Sequence, residues 1–315
     1  KKAKGSAVSA NFENLIWRVI PEASTRTAEL IAGNVDMITN ASPDQVDAID
    51  ASNSAKVQKV SGTRRMYVGF HQGEEYAVTE GGAAIQKAEV RRAIQYAVDV
   101  EAICANLLNA PCERATGLVN PNNAHPTLKP YPYNPEIAEY LLDQAGYPRD
   151  GNGVRFEITL EAGQGRYLND KNVVLAICQY LDDIGIKTTC DIMDWSSVYV
   201  PKIRKKEAGP MFFLGSGGGT WNPLYDMSDL ATVESGPNYT KWTNEEWFKG
   251  WKVINNSMDP YVIRREIDRM LEVFYNEGPW LLLYFQPDFY GVSNRVKWQE
   301  RRDEEVDIFD ASLAN

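Results

Sequence analysis

The chain has 315 residues, 43% hydrophobic and 24% charged, with a formal net charge of −10. That length suffices for two lobes with their own cores, and the acidic balance excludes nucleic acid, because phosphate binding needs clustered Lys and Arg. No run of ~18 apolar residues exists to span a membrane, and the basic Lys1-Lys2-Ala3-Lys4 leads into polar Gly-Ser-Ala rather than the apolar core of a signal peptide.

Phe12 to Ile20 alternates as a strand does, with Leu15, Trp17 and Val19 on one side. Pro21 to Thr25 turns the chain into a helix capped by Ser24 or Thr25, which carries Ala28, Leu30 and Ile31 and ends at Gly33. Val35 to Ile38 is a short strand, Ser42-Pro43-Asp44 caps a further helix, and Val57 to Val60 leads into a strand ending Arg65-Met66-Tyr67-Val68-Gly69-Phe70. Val90, Ala93, Ile94, Ala97 and Val98 give one apolar stripe to a helix that begins near Lys87 and continues through Glu101 and Ile103. Pro111 to Pro135 reads as a long surface connection. Asn134-Pro135 starts a helix that Gly146 stops. Phe156 to Leu160, Asp170 to Ile184 and Ile186 to Ile192 form a strand–helix–strand unit, the length of a right-handed crossover on a mixed sheet. Val198 to Lys205 is a helix and Met211 to Leu214 a buried strand, whereas Thr220-Trp221-Asn222-Pro223 lacks the look of a helix start. Helices follow over Asn244 to Ile254 and Pro260 to Tyr275, and Val292 to Trp298 and Val306 to Phe309 then return to the first lobe.

Enzyme signatures are missing: there is no Gly-x-Ser-x-Gly, His-Glu-x-x-His or Walker sequence, and no carboxylate pair is singled out. The run Gly215-Ser216-Gly217-Gly218-Gly219 lacks the Lys-Ser/Thr of a phosphate loop. His71 and His125 are isolated and no Cys-x-x-Cys pair exists, so a structural zinc is not expected. Cys104 and Cys112, and Cys178 and Cys190, read either as two disulfides in an oxidising compartment or as four buried thiols; spacing alone does not decide. The glycine run follows a buried strand and therefore lies at a strand end, a usual place for a pocket. Gly217, Gly218 and Gly219 are ligand-binding candidates on that ground, with Trp221 and Asn222 beyond them. Trp195, Tyr199, Tyr239, Tyr67 and Phe70 are the aromatic candidates, and each also reads as plain core packing.

Several segments together carry a family likeness: Val90-Arg91-x-Ala93-x-x-Tyr96-Ala97-x-Asp99, the stretch from Arg18 to Asp36, Asp259 with Arg264 and Leu271, and Pro279 to Tyr284. Their order and spacing resemble the large solute-binding proteins of ABC importers, the peptide/nickel/opine-binding family 5. The resemblance implies an α/β fold with a two-lobed, type II-like periplasmic-binding-protein architecture and mixed sheets. Residues 1–80 are expected to form part of the first lobe, returning at about 288–315, with 81–287 as the carboxy-terminal solute-binding lobe. The match covers nearly all of this chain but only the carboxy-terminal portion of the family's length, so a fragment is expected. It further implies capture of an oligopeptide by closure of two lobes, delivery to an ABC permease in the membrane, a monomer, a periplasmic or cell-surface anchored location, and no cofactor, metal or catalysis. Trp195 resembles a cleft-lining Trp of the family, and Tyr239 falls in a region near the cleft. Peptide-binding members carry an Asp that pairs with the ligand's α-amino group; aligned on Asn222-Pro223, that position is Gly219. This departure opens a second reading, an oligosaccharide or other neutral solute held by backbone and stacking. A hydrolase on a similar α/β scaffold is the third.

Overall fold

The computed structural model describes residues 11–20, 22–110, 112–217, 221–309 and 311–314. The first helix, α1 (Ala23–Ile31), is capped by Glu22, whose carboxylate accepts from Thr25 N at 2.8 Å, so the cap lies just before the expected Ser24 or Thr25. It is followed by β1 (Met37–Ile38), α2 (Val46–Ala51) and the long β2 (Ala55–Phe70). After α3 (Glu80–Ala84), the apolar stripe forms two helices, not one: α4 (Ala88–Ala97) and α5 (Val100–Leu107). The break falls at Val98, which is extended (φ −107°, ψ 119°), and Asp99 begins the next helix by accepting from Ala102 N at 2.9 Å. A short polar side chain competing for backbone N–H groups favours such a restart.

Within the long connection lie β3 (Glu113–Arg114) and a single 3-10 turn at Pro121–Asn123, before α6 (Pro135–Gln144). The expected crossover is present as β4 (Phe156–Gln164), α7 (Asp170–Asp183) and β5 (Ile186–Asp194), followed by α8 (Val200–Arg204) and β6 (Met211–Ser216). A helix that was not expected, α9 (Pro223–Met227), starts immediately after the glycine run; Asn222 caps it, with Pro223 in the first turn. The chain ends in α10 (Glu245–Asn255), α11 (Pro260–Glu277), β7 (Trp280–Ser293), β8 (Val296–Lys297) and β9 (Ser312–Leu313). One expected strand is not formed. Phe12 to Ile20 has no sheet pairing among the described residues, and its Leu15, Ile16, Trp17 and Val19 are exposed by 58% to 84%. Val306 to Phe309 is likewise unpaired, the closing strand being β9 with β8.

The chain divides into two compact units, residues 1–62 with 287–315 and residues 63–286. The first division falls inside β2, at Gly62 and Thr63. In the first unit β1 runs antiparallel to β7, and Tyr290, Val292, Trp298 and Ala311 form a small core. In the second the strand order is β7-β2-β6-β4-β5, with β3 added on β7. There β4 is parallel to both β5 and β6, while β6 is antiparallel to β2, so the sheet is mixed. Its core gathers Tyr67, Phe212, Trp242, Trp247, Phe274 and Trp280. Arg91, inside α4, is buried and donates to the carbonyls of Ile85, Gln86 and Glu277 at 2.8–2.9 Å, tying that helix to the end of α11. Both cysteine pairs are disulfides: Cys104–Cys112 closes the connection after α5, and Cys178–Cys190 joins α7 to β5, with Cα separations of 5.7 and 6.4 Å.

Candidate ligand-binding site

Parallel pairing aligns the carboxyl ends of three strands in the second unit: Gln164 of β4 lies opposite Asp194 of β5, and Ala162 opposite Phe213 of β6. What leaves those ends is aromatic or glycine: Tyr167 after β4, Trp195 after β5 and Gly217 after β6. The Tyr167 and Trp195 rings meet edge to face with centroids 5.2 Å apart, and Trp195 leans on Tyr199 at 5.7 Å. Gly163 makes this arrangement possible, since a Cβ there would sit 2.7 Å from both the Trp195 and Tyr199 rings. Gly215 N donates to the Tyr167 hydroxyl at 3.0 Å, locking that ring to β6. The loop before α7 is gathered by one carboxylate: Asp170 Oδ2 accepts from Gly165, Arg166 and Tyr167 N at 2.9–3.0 Å. Arg64 and Arg166 stand over the Tyr167 ring at 5.9 and 5.4 Å, close enough for cation–π attraction.

Under the glycine run lies a buried ion pair. Arg65 faces Ser216 across the β2–β6 ladder and donates to Ser216 Oγ at 3.1 Å and to Asp226 Oδ1 at 3.3 Å. Asp226, on α9, also accepts from Asn120 N at 3.3 Å, and both charged side chains are fully buried. Burial pushes the Asp226 carboxyl up and the Arg65 guanidinium down, and the charge of each opposes the shift of the other. Gly217 adopts φ +96°, and a Cβ there would meet Arg65 Nη2 and the Thr63 carbonyl at 3.0 Å. Its glycine is required twice, by backbone sign and by space.

Asp229 completes this group. Burial, with the Asp226 charge adding and Arg65 opposing, lifts its carboxyl from 3.8 to about 6. The folded protein therefore binds this proton more tightly than the unfolded chain. The resulting stability is complete below pH 3.8 and lost as pH rises through about 6. Its size is at most about 3 kcal/mol. Urea unfolding between pH 4 and 7 is expected to show this decline in the wild-type protein and not in Asp229→Asn; equal pH profiles would remove Asp229 as its source.

The sequence candidates are distributed unevenly. Trp195 is half-buried at the strand ends, where the reading placed it. Tyr199 is wholly buried and gives its hydroxyl to the Phe213 carbonyl at 2.6 Å, so it supports Trp195 from below. Tyr67 is buried against Trp280, the rings stacked at 3.9 Å, and Phe70 is buried in the same strand. Tyr239 is half-buried against the core of this unit. Trp221 is 41% exposed, its carbonyl accepting from Asn123 Nδ2 at 2.9 Å, and the Asn222 side chain caps α9 through Leu224 N at 3.0 Å. Gly218 and Gly219 lie outside the described residues. Sequence reasoning passed over Tyr167, Arg65, Asp170 and Asp226. For Tyr167 a signal existed, its place just beyond a parallel strand; for the buried pair, 161 residues apart, none did. Among the described residues no group of three His, Cys, Asp or Glu side chains stands where it could hold a metal ion, and no helix is long and apolar enough to cross a membrane.

The model of the bacterial extracellular solute-binding proteins, family 5, matches residues 5–237. The chain belongs to that family. Curated family 5 relatives include the oligopeptide-binding protein AppA of Bacillus subtilis, 22% identical over 93% of this chain and 54% of its own length. Another is the heme-binding protein A of Haemophilus influenzae, 26% identical over 91% of this chain and 51% of its own. This family 5 chain thus spans about half the length of the curated relatives it matches. Among solved structures, the Bacillus subtilis AppA complex with a nonapeptide superposes with a TM-score of 0.78 at 21% identity, covering 94% of this chain and 60% of that one. Brucella suis NikA with Fe(III)-EDTA gives 0.80 at 20%, covering 94% and 61%. These likenesses show the two-lobed binding-protein fold that the resemblance implied.

Proposed function

We propose that this chain belongs to the substrate-binding component of an ABC importer and helps capture an oligopeptide outside the cytoplasmic membrane, by the lobe closure that the resemblance implies. The observation that carries it is the family membership together with an aromatic and glycine-lined strand end of the kind where α/β sheets receive ligands. Trp195, Trp221, Gly217, Gly218, Gly219, Asn222 and Tyr239 are the proposed contact residues. Tyr199, Tyr67 and Phe70 act by holding that surface from beneath. The protein is proposed to work as a monomer with a membrane permease, in the periplasm or anchored at the cell surface, and to make or break no bond. Two disulfides suit such an oxidising compartment. The half-buried Trp195 beside Tyr167 favours one second reading, an oligosaccharide stacked on those rings.

Thermal unfolding of the full-length protein against peptide and oligosaccharide panels separates the two. A ligand at a hundred times its Kd adds about 2.7 kcal/mol to the native state, which raises Tm by several degrees. Peptides alone are expected to give that shift. Shifts with oligosaccharides alone would replace the peptide reading, and no shift with either would overturn both.

A further inference from the structure

Asp226 has a counterpart on its own helical face. The chain continues from α9 into a single 3-10 turn, Ser228–Leu230, so Asp226 and Asp229, three residues apart, project as neighbours. On β2 the pleat likewise puts Arg65 and Tyr67 on one face. Asp226 meets Arg65, and Asp229 stands one step along, beside Tyr67. Tyr239 closes the group from its own loop. It packs on the same core, and the Asp229 charge pushes its phenol up as it does that of Tyr67.

The polar heads of these three side chains are unused. Tyr67 is 1% exposed, yet its hydroxyl makes no hydrogen bond among the described residues, and neither does that of Tyr239. The nearby Tyr199 and Tyr167 hydroxyls, by contrast, are bonded to the Phe213 carbonyl and to Gly215 N. The partly exposed Asp229 carboxylate accepts no hydrogen bond and joins no ion pair among the described residues. The charges that face it are Asp226 and Arg65, and Arg65 is already held by Asp226 and Ser216. Arg204, on α8, faces Tyr239.

This arrangement works against the fold. A buried hydroxyl without a partner is disfavoured, and ionised Asp229 removes the stability described above. Asparagine would fill the same space without that loss, so the charge serves something other than folding.

We propose that Asp229, Tyr67 and Tyr239 form a subsite for a primary ammonium group, with the carboxylate as counter-charge and the two phenol oxygens accepting its remaining N–H bonds. An alkylammonium brings three donors on a compact head, one for each side chain. A guanidinium brings five in a planar fork, more than one carboxylate and two phenols can meet. A quaternary ammonium brings none and leaves both phenols unpaired, and an anion is repelled by Asp229. The Tyr67 ring stays stacked on Trp280 as support, and only its hydroxyl is assigned here. The assignment rests on the solute-binding reading and narrows the ligand to one that carries a primary amine.

The test is an NMR titration of the 315-residue chain, labelled at its aspartate carboxyl carbons, with propylammonium, 1-propanol and tetramethylammonium at constant ionic strength. Asp229→Asn assigns the Asp229 signal. Propylammonium is expected to shift that signal saturably, and to bind about tenfold more weakly for each pH unit below about 6, where Asp229 takes up a proton. The two control probes are expected to bind at least tenfold more weakly. Followed at the Leu230 amide, Asp229→Asn is expected to lose at least tenfold at pH 7 and to lose the pH dependence. Tyr239→Phe is expected to weaken binding several-fold and keep that dependence. No saturable shift, equal binding of either control, or undiminished binding in Asp229→Asn would overturn the proposal. A peptide that raises Tm equally in wild type and Asp229→Asn would overturn it while sparing the transport reading; propylammonium binding with no peptide shift would do the reverse.

Discussion

Asp226→Ala is expected to lower folding stability by about 3–5 kcal/mol. The cause is what remains: Arg65 is fully buried, and its Nε finds no acceptor among the described residues. Without Asp226 the guanidinium keeps a hydrogen bond to Ser216 Oγ and the more distant charge of Asp229, and Asn120 N loses an acceptor as well. Asp226→Asn, which preserves an acceptor but not the charge, should fall between Ala and wild type. Replacing both partners, Arg65→Met with Asp226→Leu, should recover most of the loss, because exchanging a buried pair for apolar side chains removes two desolvation penalties at once. Urea unfolding of the four proteins measures this. A cost below about 1 kcal/mol for Asp226→Ala would mean that water reaches Arg65.

Reduction is the second strong perturbation. The Cys104–Cys112 and Cys178–Cys190 bonds span 8 and 12 residues, and loop-closure entropy assigns them about 2.5 and about 3 kcal/mol. Together they approach the lower end of the stability of a typical domain. Unfolding with and without a thiol reductant is expected to show a fall of about 5 kcal/mol, and paired Cys→Ala variants should divide it between the bonds. If reductant leaves the transition unmoved, the cysteines contribute as packed thiols and the case for an oxidising compartment loses its physical support.

The sequence made elements legible wherever a single face was buried. The β4–α7–β5 unit was readable because its apolar residues recur with the period of their own element and glycines punctuate it. Boundaries failed where a local polar group outweighed the pattern. Asp99 split an apolar stripe that runs unbroken through Val98, and Asn222-Pro223 began a helix where glycines suggested only a turn. The Asn222 signal was present, since Asn before Pro is a cap followed by a first-turn residue. Phe12 to Ile20 failed for the opposite reason: alternation describes a strand's faces but cannot supply a partner for its edge. At the candidate site Trp195 and Gly217 were accessible from order alone. Whether Tyr199, Tyr67 and Phe70 present a surface or fill a core was not, because an aromatic ring serves both roles and only packing separates them.

The bare stretch from Leu15 to Val19 has a colloidal consequence. Large apolar side chains beside backbone with no sheet pairing form an adhesive edge, the kind through which separate chains add to one another. Opposing it is the charge of −10, which makes every molecule repel its neighbours. That repulsion reaches only as far as salt allows, roughly 30 Å at 0.01 M and about 8 Å at 0.15 M. Dilute buffer therefore keeps these chains apart, and added salt brings their sticky edges within reach, so the solubility of this chain is governed by ionic strength before it is governed by fold.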